Sequence, residues 1–263
     1  MTTGLADHVI VVTGASSGIG RATALQMGKA GARLMLVARD EAALDTVAAA
    51  VRAAGGAAER AVADVAQKPQ LMAALDAADA VFGRIDGLFC NAGTGGATAP
   101  LVDYPDAAFD EVFELNVKSV FWAMKRVLPQ MIERRSGAIL ATGSLASERG
   151  LPMTSGYNAS KHAVLGLVRS AAAEVAPHNV RVNALLPGLI DTRMLRDLAV
   201  TLTGGDAEAG LKTLGRMAPM GRVGTADEAA ALACFLLSDA ASYITGQAFA
   251  ADGGVLGTIA NGA

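Results

Sequence analysis

Short apolar segments alternate with longer helical segments along almost the whole chain of 263 residues. The apolar stretches "HVIVVTG" (8–14) and "RLMLVA" (33–38) predict buried strands. Between them, "GRATALQMGKAG" (20–31) has helical spacing and ends in a glycine. Because this order repeats without a linker or low-complexity tract, it predicts one α/β domain over residues 1–263, a doubly wound parallel sheet with helices on both faces.

The same criteria predict the remaining elements. Further strands are expected over 58–65, 85–93, 137–144, 180–188 and 246–254, and further helices over 41–56, 68–83, 106–135, 155–176 and 225–238. Residues 189–224 look irregular, follow the carboxyl end of a strand, and contain Gly204, Gly205 and Gly210. We therefore predict a mobile substrate lid over this segment.

The composition argues against several classes of protein. Hydrophobic residues make up 52% of the chain, which permits a large core, and only 4% of residues are aromatic. The net charge is −3 with acids and bases interspersed, which argues against a nucleic-acid partner or a basic membrane patch. The three histidines are scattered, so no metal site is expected.

Cysteine usage and the N-terminal segment predict the compartment. Cys90 in "LFCNAG" and Cys234 in "ALACFLL" have apolar neighbours, which favours buried free thiols over a disulfide. No segment approaches the roughly 18 apolar residues of a membrane helix, and the N-terminus lacks the basic region of a secretion signal. We therefore expect a soluble cytoplasmic protein.

A glycine-rich turn, "VTGASSGIGRA", follows the first predicted strand and opens the first helix. Gly14 permits a tight turn, Gly18 allows close approach of a ligand, and Gly20 lets the helix pack on the sheet. The helix N-terminus then offers free N–H groups to a pyrophosphate, with Ser16, Ser17 and Ile19 completing the predicted binding turn. A plain tight turn is the alternative, and the absence of Gly-Lys-Ser/Thr disfavours a nucleoside-triphosphate loop.

The end of the second strand predicts the type of dinucleotide. An acid here would repel a 2′-phosphate, but this chain has Ala38 followed by Arg39 and Asp40. Arg39 could grip a 2′-phosphate, so NADP(H) is favoured and NAD(H) stays an alternative. Arg39 could instead merely pair with Asp40 or Glu41. Asp64, at the end of the third strand, could accept from an adenine amino group or cap the next helix.

The stretch "SGYNASKHAV" (155–164) places Tyr157 and Lys161 one helical turn apart. A tyrosine has a pKa of about 10, and a neighbouring ammonium would lower this pKa. The pair could therefore be a proton-transfer device. It could equally be two solvated residues on a helix face, so the rest of the chain has to decide.

Six motifs in order resemble the short-chain dehydrogenase/reductase family over about residues 5–255. They are the glycine-rich turn at 13–20, "NAG" at 91–93, Asn116 in "LNVKS", Ser144 in "ATGS", Tyr157-x-x-x-Lys161, and "PG" at 187–188. The resemblance implies a Rossmann-type sheet of seven parallel strands and a nicotinamide cofactor. It also implies reversible hydride transfer between this cofactor and a carbonyl or alcohol.

The resemblance also implies a role for each catalytic residue. Tyr157 would exchange a proton with the substrate oxygen, and Lys161 would lower the pKa of Tyr157 and bind the nicotinamide ribose. Ser144 would hold the substrate oxygen, and Asn116 would help to hold a water that links Lys161 to solvent. As alternatives, Ser144 could be a turn serine with Ser147 as a near neighbour, and Asn116 could be a satisfied polar group inside a helix.

Further cofactor contacts are carried over in the same way. Asn91, Ala92 and Gly93 would line the adenosine side, Pro187 and Gly188 would lie beside the nicotinamide, and Ile190 and Thr192 match positions that bond its carboxamide. Val65, next to Asp64, completes the set of cofactor-binding residues. The alternative for Thr192 is an ordinary helix N-cap.

The substrate is less sharply defined. The loops 94–104 and 145–156 mix small and apolar residues, which fits a small, apolar or cyclic ketone or secondary alcohol. A 3-oxoacyl-carrier-protein reductase is the alternative within the family, and Arg134 and Arg135 are the best candidates for docking an acidic carrier. A non-catalytic NAD(P)-sensing regulator is the alternative from another class, which the intact catalytic set disfavours.

The family resemblance further implies a homotetramer or homodimer. The helices over 106–135 and 155–176 would form one interface, and the apolar tail "VLGTIANGA" (255–263) could join another. No nucleic acid or membrane partner is expected.

Overall fold

The computed structural model describes residues 4–258, which contain one sheet of seven parallel strands. The strands are β1 (Val9–Thr13), β2 (Arg33–Ala38), β3 (Ala57–Val62), β4 (Gly87–Cys90), β5 (Gly137–Thr142), β6 (Val180–Pro187) and β7 (Ala248–Ala251). Their order across the sheet is β3-β2-β1-β4-β5-β6-β7. The order reverses between β1 and β4, which opens a crevice at the carboxyl ends of these two strands. The predicted sheet is therefore confirmed.

Helices cover both faces of the sheet. They are α1 (Gly18–Lys29), α2 (Glu41–Ala53), α3 (Lys68–Phe82), α4 (Asp106–Phe113), α5 (Ser119–Arg134), α6 (Ser155–Val175), α7 (Arg193–Thr203), α8 (Ala207–Gly215) and α9 (Ala226–Leu237). Helices α1, α2 and α9 pack together on one face, and α3, α5 and α6 pack together on the other. None of the helices between residues 4 and 258 has both the length and the apolar character that a bilayer span requires.

Each face of the sheet has its own apolar core because side chains alternate along a strand. In β1, Val11 points into the core beneath α3, α5 and α6, whereas Ile10 and Val12 point into the core beneath α1, α2 and α9. Such central strands read as continuous apolar runs, since both of their faces are buried. Cys90 and Cys234 are buried free thiols, as expected, and burial raises the pKa of each to about 12.

Two predicted segments differ from the structure. The helix expected over 106–135 is divided by a π-helical turn, Glu114–Lys118, which separates α4 from α5. The segment 189–224 is not irregular, because it folds into the helical pair α7 and α8. These two helices share a small apolar cluster of their own, formed by Leu195, Ala199, Leu211 and Leu214. The helices were not predicted because Gly204, Gly205 and Gly210 interrupt the helical pattern in the sequence. The mobility of the segment stays a prediction.

Candidate active site

The predicted functional residues meet at the carboxyl edge of the sheet. Gly14 follows β1, Asn91 follows β4, and Ser144 follows β5 by two residues. Tyr157 and Lys161 lie in the first two turns of α6, whose N-terminus lies at the same edge. Parallel strands bring these loops together although they lie far apart along the chain.

The glycine-rich turn has the shape of a phosphate cradle. Gly14 (φ +66°) and Gly18 (φ +53°) adopt left-handed backbone conformations that favour glycine. A Cβ on Gly20 would lie 2.3 Å from the carbonyl oxygen of Gly14, so only glycine fits there. Ser17 is the N-cap residue of α1, and within the described residues its side chain caps none of the first N–H groups. These N–H groups suit a pyrophosphate, and Ser16 and Ile19 lie in the same turn.

Asn91 holds this turn in place. Its Nδ2 lies 3.3 Å from the carbonyl oxygen of Thr13 and 3.4 Å from that of Gly14, and its Oδ1 accepts from the Thr142 hydroxyl (3.2 Å). The Thr13 hydroxyl in turn accepts from the backbone N–H groups of Asn91 and Ala92. The side chain of Asn91 is therefore engaged by protein atoms. Sequence reasoning missed Thr13 and Thr142, because a threonine at a strand end carries no distinctive signal.

Lys161 is buried beside Tyr157. Its ammonium donates to the carbonyl oxygen of Thr142 (2.8 Å) and lies 5.6 Å from the centroid of the Tyr157 ring. The residue is 5% exposed, and burial lowers the pKa of Lys161 to about 8. Burial penalises the charged form of a lysine, and no carboxylate lies close enough among the described residues to form an ion pair with it.

The pKa of Tyr157 shifts in the direction opposite to the expected one. Burial raises the pKa of Tyr157 in the protein alone, and the hydroxyl of Ser144 partly opposes this rise. In the protein without a dinucleotide, the lowering of this pKa expected from Lys161 is therefore not found, because desolvation of the phenolate is the largest influence on it. The ammonium of Lys161 is directed to the backbone of β5 rather than to the phenol. At neutral pH the Tyr157 side chain is a protonated phenol, the form that can donate.

Ser144 both caps a turn and lies beside the phenol. It precedes the short 3-10 helix Leu145–Ser147, and its Oγ accepts from the backbone N–H of Ala146 (3.2 Å). Ser144 is therefore a turn serine, as the alternative interpretation states. A hydroxyl that accepts one hydrogen bond still has its own proton to donate, so Ser144 remains able to bind a substrate oxygen.

Asn116 lies in the π-helical turn and links two elements. Its Oδ1 accepts from the N–H of Thr94 (2.9 Å), and its Nδ2 donates to the Thr94 carbonyl (2.9 Å) and to the Ser160 hydroxyl (3.0 Å). Both amide hydrogens of Asn116 are therefore hydrogen-bonded. This agrees with the alternative that Asn116 is a satisfied polar group inside a helix. A Cβ on Gly93 would lie 3.1 Å from Asn116 Oδ1 and 3.6 Å from Lys161 Nζ, so a glycine allows these groups to approach. The water-binding role of Asn116 stays a prediction.

Arg39 is exposed at the end of β2, and its neighbours are engaged elsewhere. Glu41 pairs with Arg60 (2.9 Å), and Asp40 caps α2 by accepting from the N–H of Ala43 (3.0 Å). Among residues 4–258, no acid forms an ion pair with Arg39. The structure therefore shows no pairing of Arg39 with Asp40 or Glu41.

The other predicted adenosine contacts have local roles. Asp64 Oδ1 accepts from the N–H of Ala66 (3.0 Å) in the turn before α3, whereas Gln67 is the N-cap residue of that helix. Val65 is buried in the core cluster that faces α3. Ala92 lies against the glycine-rich turn, since a Cβ on Gly14 would lie 3.0 Å from its Cα.

The segment after β6 forms the opposite wall of the phosphate cradle. A Cβ on Gly18 would lie 3.2 Å from Cγ2 of Thr192, so Thr192 faces the glycine-rich turn. Thr192 is the N-cap residue of α7. Pro187 ends β6, Gly188 follows it, and Ile190 pairs with Gly224. A cavity of about 370 Å³ opens beside this wall, and its lining includes Gly18, Arg21, Thr192, Arg193 and Arg196. The sequence analysis did not single out these three arginines.

Arg134 and Arg135 lie at the wrong edge of the sheet for a carrier-protein dock. Arg134 ends α5 and Arg135 follows it, just before β5 begins at Gly137, whereas Ser144 lies beyond the far end of that strand, a separation of about 20 Å. Arg134 donates to the carbonyl of Ile85 (2.6 Å), and Arg135 to that of Pro177 (2.9 Å). Both guanidinium groups are used to join loops of the fold.

Comparison with known proteins agrees with this geometry. A family model described as enoyl-(acyl-carrier-protein) reductase matches residues 14–256. Levodione reductase of Leifsonia aquatica is 39% identical over 255 residues, which cover 96% of each chain. A 2,5-dichloro-2,5-cyclohexadiene-1,4-diol dehydrogenase of Sphingobium indicum is 40% identical over 95% of this chain and 97% of its own.

Solved structures of similar proteins hold either nicotinamide dinucleotide. An L-sorbose reductase from Gluconobacter frateurii, complexed with NADPH and L-sorbose, superposes with a TM-score of 0.93 at 33% identity over 98% of this chain and 100% of its own. NAD⁺-bound xylitol dehydrogenase superposes with a TM-score of 0.90 at 34% identity over 95% and 99% of the two chains. Because the family model matches almost the whole chain and the relatives are about as long as this chain and similar to it throughout, the chain belongs to the short-chain dehydrogenase/reductase family and is an NAD(P)-dependent oxidoreductase acting on CH–OH and C=O groups.

Proposed function

We propose that this protein reversibly interconverts a small, apolar or cyclic ketone and its secondary alcohol with NADP(H). The observation that carries the proposal is the convergence of Ser144, Tyr157 and Lys161 beside the phosphate cradle at one edge of the sheet. A sensor that only binds a dinucleotide has no need of a proton donor at that point. A carrier-protein substrate is not favoured, because the basic residues proposed for docking lie at the opposite edge.

The residues of this chain can perform the proton chemistry of the reaction. When bound, the dinucleotide supplies or accepts the hydride. During reduction, the Tyr157 phenol gives its proton to the substrate oxygen, and the Ser144 hydroxyl stabilises the negative charge that develops there. The Lys161 ammonium, 5.6 Å from the centroid of the Tyr157 ring, reduces the cost of the phenolate that is left behind, although burial keeps the pKa of Tyr157 above its usual value. Oxidation of an alcohol uses the same groups in reverse.

The surroundings of the site support an apolar substrate. The two substrate loops are joined where the N–H of Ala99 donates to the carbonyl of Met153 (2.9 Å). Large apolar side chains are exposed on these loops and on the lid, namely Leu101, Val102, Leu151, Met153, Met194, Met217 and Met220. A relative named for a ring-shaped diol supports the cyclic class in particular.

Substitution of Tyr157 tests the function. We expect Tyr157→Phe to reduce turnover of cyclic ketones by at least 10³-fold, because the proton donor is lost, while the Kd of NADPH changes little. The assay follows the absorbance of reduced nicotinamide with a panel of cyclic and open-chain ketones and alcohols. Tyr243→Phe, which removes the hydroxyl of a fully exposed tyrosine, is the matched control. Dinucleotide binding without turnover across the panel would instead support a sensor.

Arg39 supports the preference for NADP(H). Its guanidinium is exposed at the end of β2 and has no competing acid pair among the described residues. We expect Arg39→Ala to weaken NADPH binding by about 10- to 100-fold, since a charged hydrogen bond to phosphate is worth roughly 1.5–3 kcal/mol. The Kd of NADH should change less than threefold. Titration calorimetry measures both constants, with Arg84→Ala as a control at the opposite edge, and equal losses for the two dinucleotides would contradict the preference.

We further propose a homo-oligomer that acts in the cytoplasm. Exposed aromatic side chains on α4 and α5, Phe109 and Phe121, support an interface there. The buried free thiols Cys90 and Cys234 suit a reducing compartment. The predicted contribution of the tail 255–263 concerns in part residues 259–263, which lie outside the described residues.

A further inference from the structure

The side chain of Ser147 joins the backbones of two residues of the site. Its Oγ accepts from the backbone N–H of Ser144 (3.2 Å) and donates to the backbone carbonyl of Lys161 (2.9 Å). Its own N–H donates to the carbonyl of Ser144 (2.9 Å). Ser147 is 2% exposed, so these bonds are shielded from bulk water. One hydroxyl thus connects the residues after β5 to the second turn of α6.

The direction of these hydrogen bonds is determined by their partners. A hydroxyl has one hydrogen and two lone pairs. The carbonyl of Lys161 can only accept, so the Ser147 hydrogen is directed to it. The N–H of Ser144 can only donate, so it meets a lone pair. Ser147 therefore has one favourable hydroxyl orientation, and it holds Ser144 in an extended conformation (φ −172°, ψ 170°).

The packing around this hydroxyl leaves it little freedom. A Cβ on Gly143 would lie 2.8 Å from Ser147 Oγ and 2.4 Å from Leu186 Cδ2, so the adjoining backbone lies directly against it. A second hydrogen bond between α6 and β5 runs from the ammonium of Lys161 to the carbonyl of Thr142. Both connections attach α6 to the carboxyl end of β5, but only the one made by Ser147 involves Ser144.

We propose that Ser147 is a positioning residue, which sets the place of the Ser144 hydroxyl relative to Tyr157 by bonding the backbones of Ser144 and Lys161. This inference rests on the proposed function, in which Ser144 and Tyr157 act on the same substrate oxygen. Small displacements of such groups have large effects on rate, because the productive geometry tolerates only about half an ångström. Ser147 itself does not contact the reacting atoms.

The first test is Ser147→Ala. We expect kcat for ketone reduction to fall about tenfold, the typical effect of one lost buried hydrogen bond on a transition state, while KM for NADPH stays within twofold. Ser238→Ala is the matched control, because Ser238 is also fully buried and its hydroxyl donates to a carbonyl, that of Phe235 (2.8 Å). Ser238 follows α9 at the opposite edge of the sheet. We expect this control to lower the melting temperature by a similar amount and to leave kcat within twofold.

A double-mutant cycle separates positioning from general destabilisation. If Ser147 acts through Ser144, adding Ser147→Ala to the Ser144→Ala variant should lower kcat by less than twofold. A tenfold loss in both backgrounds, or no loss in the parent, would overturn the inference. If Ser144→Ala itself has no effect on kcat, the proposed function fails instead. Should Ser147→Ala not fold, Ser147→Cys keeps the volume and weakens the hydrogen bonds, and it enters the same cycle with the same expected pattern.

Discussion

At the scale of the residue, the burial of Lys161 places a charge in the site and lowers the stability of the folded protein. Its ammonium is enclosed by protein and donates to the carbonyl of Thr142 (2.8 Å). Burial lowers the pKa of Lys161 to about 8. Between that pH and about 10.4, the usual pKa of lysine, the unfolded chain binds more protons than the folded protein. The free energy of unfolding therefore rises with pH over this range.

Replacement of Lys161 should remove this pH dependence. We expect Lys161→Met to abolish turnover, and we expect the parent to gain stability relative to this variant as the pH rises from about 8 to 10. The gain is on the order of 1–3 kcal/mol, from the size of the shift in pKa. Urea denaturation of both proteins without dinucleotide, at several pH values, measures the difference. A difference that stays constant with pH would contradict a buried ammonium with a lowered pKa.

At the scale of the element, the segment 189–224, the predicted lid, is a helical pair with a separate core. Leu195 and Ala199 of α7 pack against Leu211 and Leu214 of α8, apart from the two cores of the sheet. The two ends of the segment are held together where the N–H of Gly224 donates to the carbonyl of Leu189 (2.8 Å). A unit with few contacts to the main core can open by itself, without unfolding the sheet.

Truncation of the lid core should therefore act locally. We expect Leu214→Ala, which leaves a cavity worth roughly 2–5 kcal/mol, to speed hydrogen exchange over 193–215 by at least tenfold. Exchange in β1, β4 and β5 should remain unchanged. Leu75→Ala, at a fully buried position of α3 in the sheet core, is the control and should lower the protection of the whole molecule. Equal effects of both variants on the central strands would show that the lid does not open separately.

At the scale of the whole molecule, the sheet order decides where chemistry can occur. The reversal between β1 and β4 places the phosphate cradle and the ends of β4 and β5 in one crevice. The helices that carry Asn116, Tyr157 and Lys161 all lie on one face of the sheet. The outer surface of that face bears the exposed aromatic side chains of Phe109 and Phe121, where the proposed interface lies.

Oligomerisation should depend on this outer surface. Phe121 on α5 is 46% exposed, and a charge there would be buried if copies of the chain associate through it. We expect Phe121→Glu to reduce the oligomer to smaller species, as measured by light scattering after size-exclusion chromatography. Val81→Glu replaces another exposed apolar residue, on α3, and should leave the mass unchanged. A parent protein that is already a monomer would contradict the proposal.

The type and order of most elements follow directly from the sequence, since buried strands and amphipathic helices have distinct apolar periods. The bounds are less well predicted, since β4 (Gly87–Cys90) and β7 (Ala248–Ala251) are shorter than the predicted strands over 85–93 and 246–254. The π-helical turn at Asn116 could not be predicted in this way. Its residues continue the helical pattern of α4, and the turn is stabilised by bonds from Asn116 to Thr94 and Ser160, which are distant in the chain. The pairing of α7 with α8 could not be predicted either. Glycines interrupt the helical pattern in this segment, and the two helices are stabilised by packing against each other.

The alternation of strands and helices, the glycine-rich turn and the Tyr157–Lys161 spacing can be read from the sequence, because all three depend on neighbours within a few residues. The protonation of the site and the hydrogen bonds that support it arise from tertiary packing. Burial, which no local pattern reports, raises the pKa of Tyr157 and lowers that of Lys161. The hydrogen bond from Ser147 to Lys161 joins residues that are 14 positions apart, so it exists only once the strand and the helix are packed together.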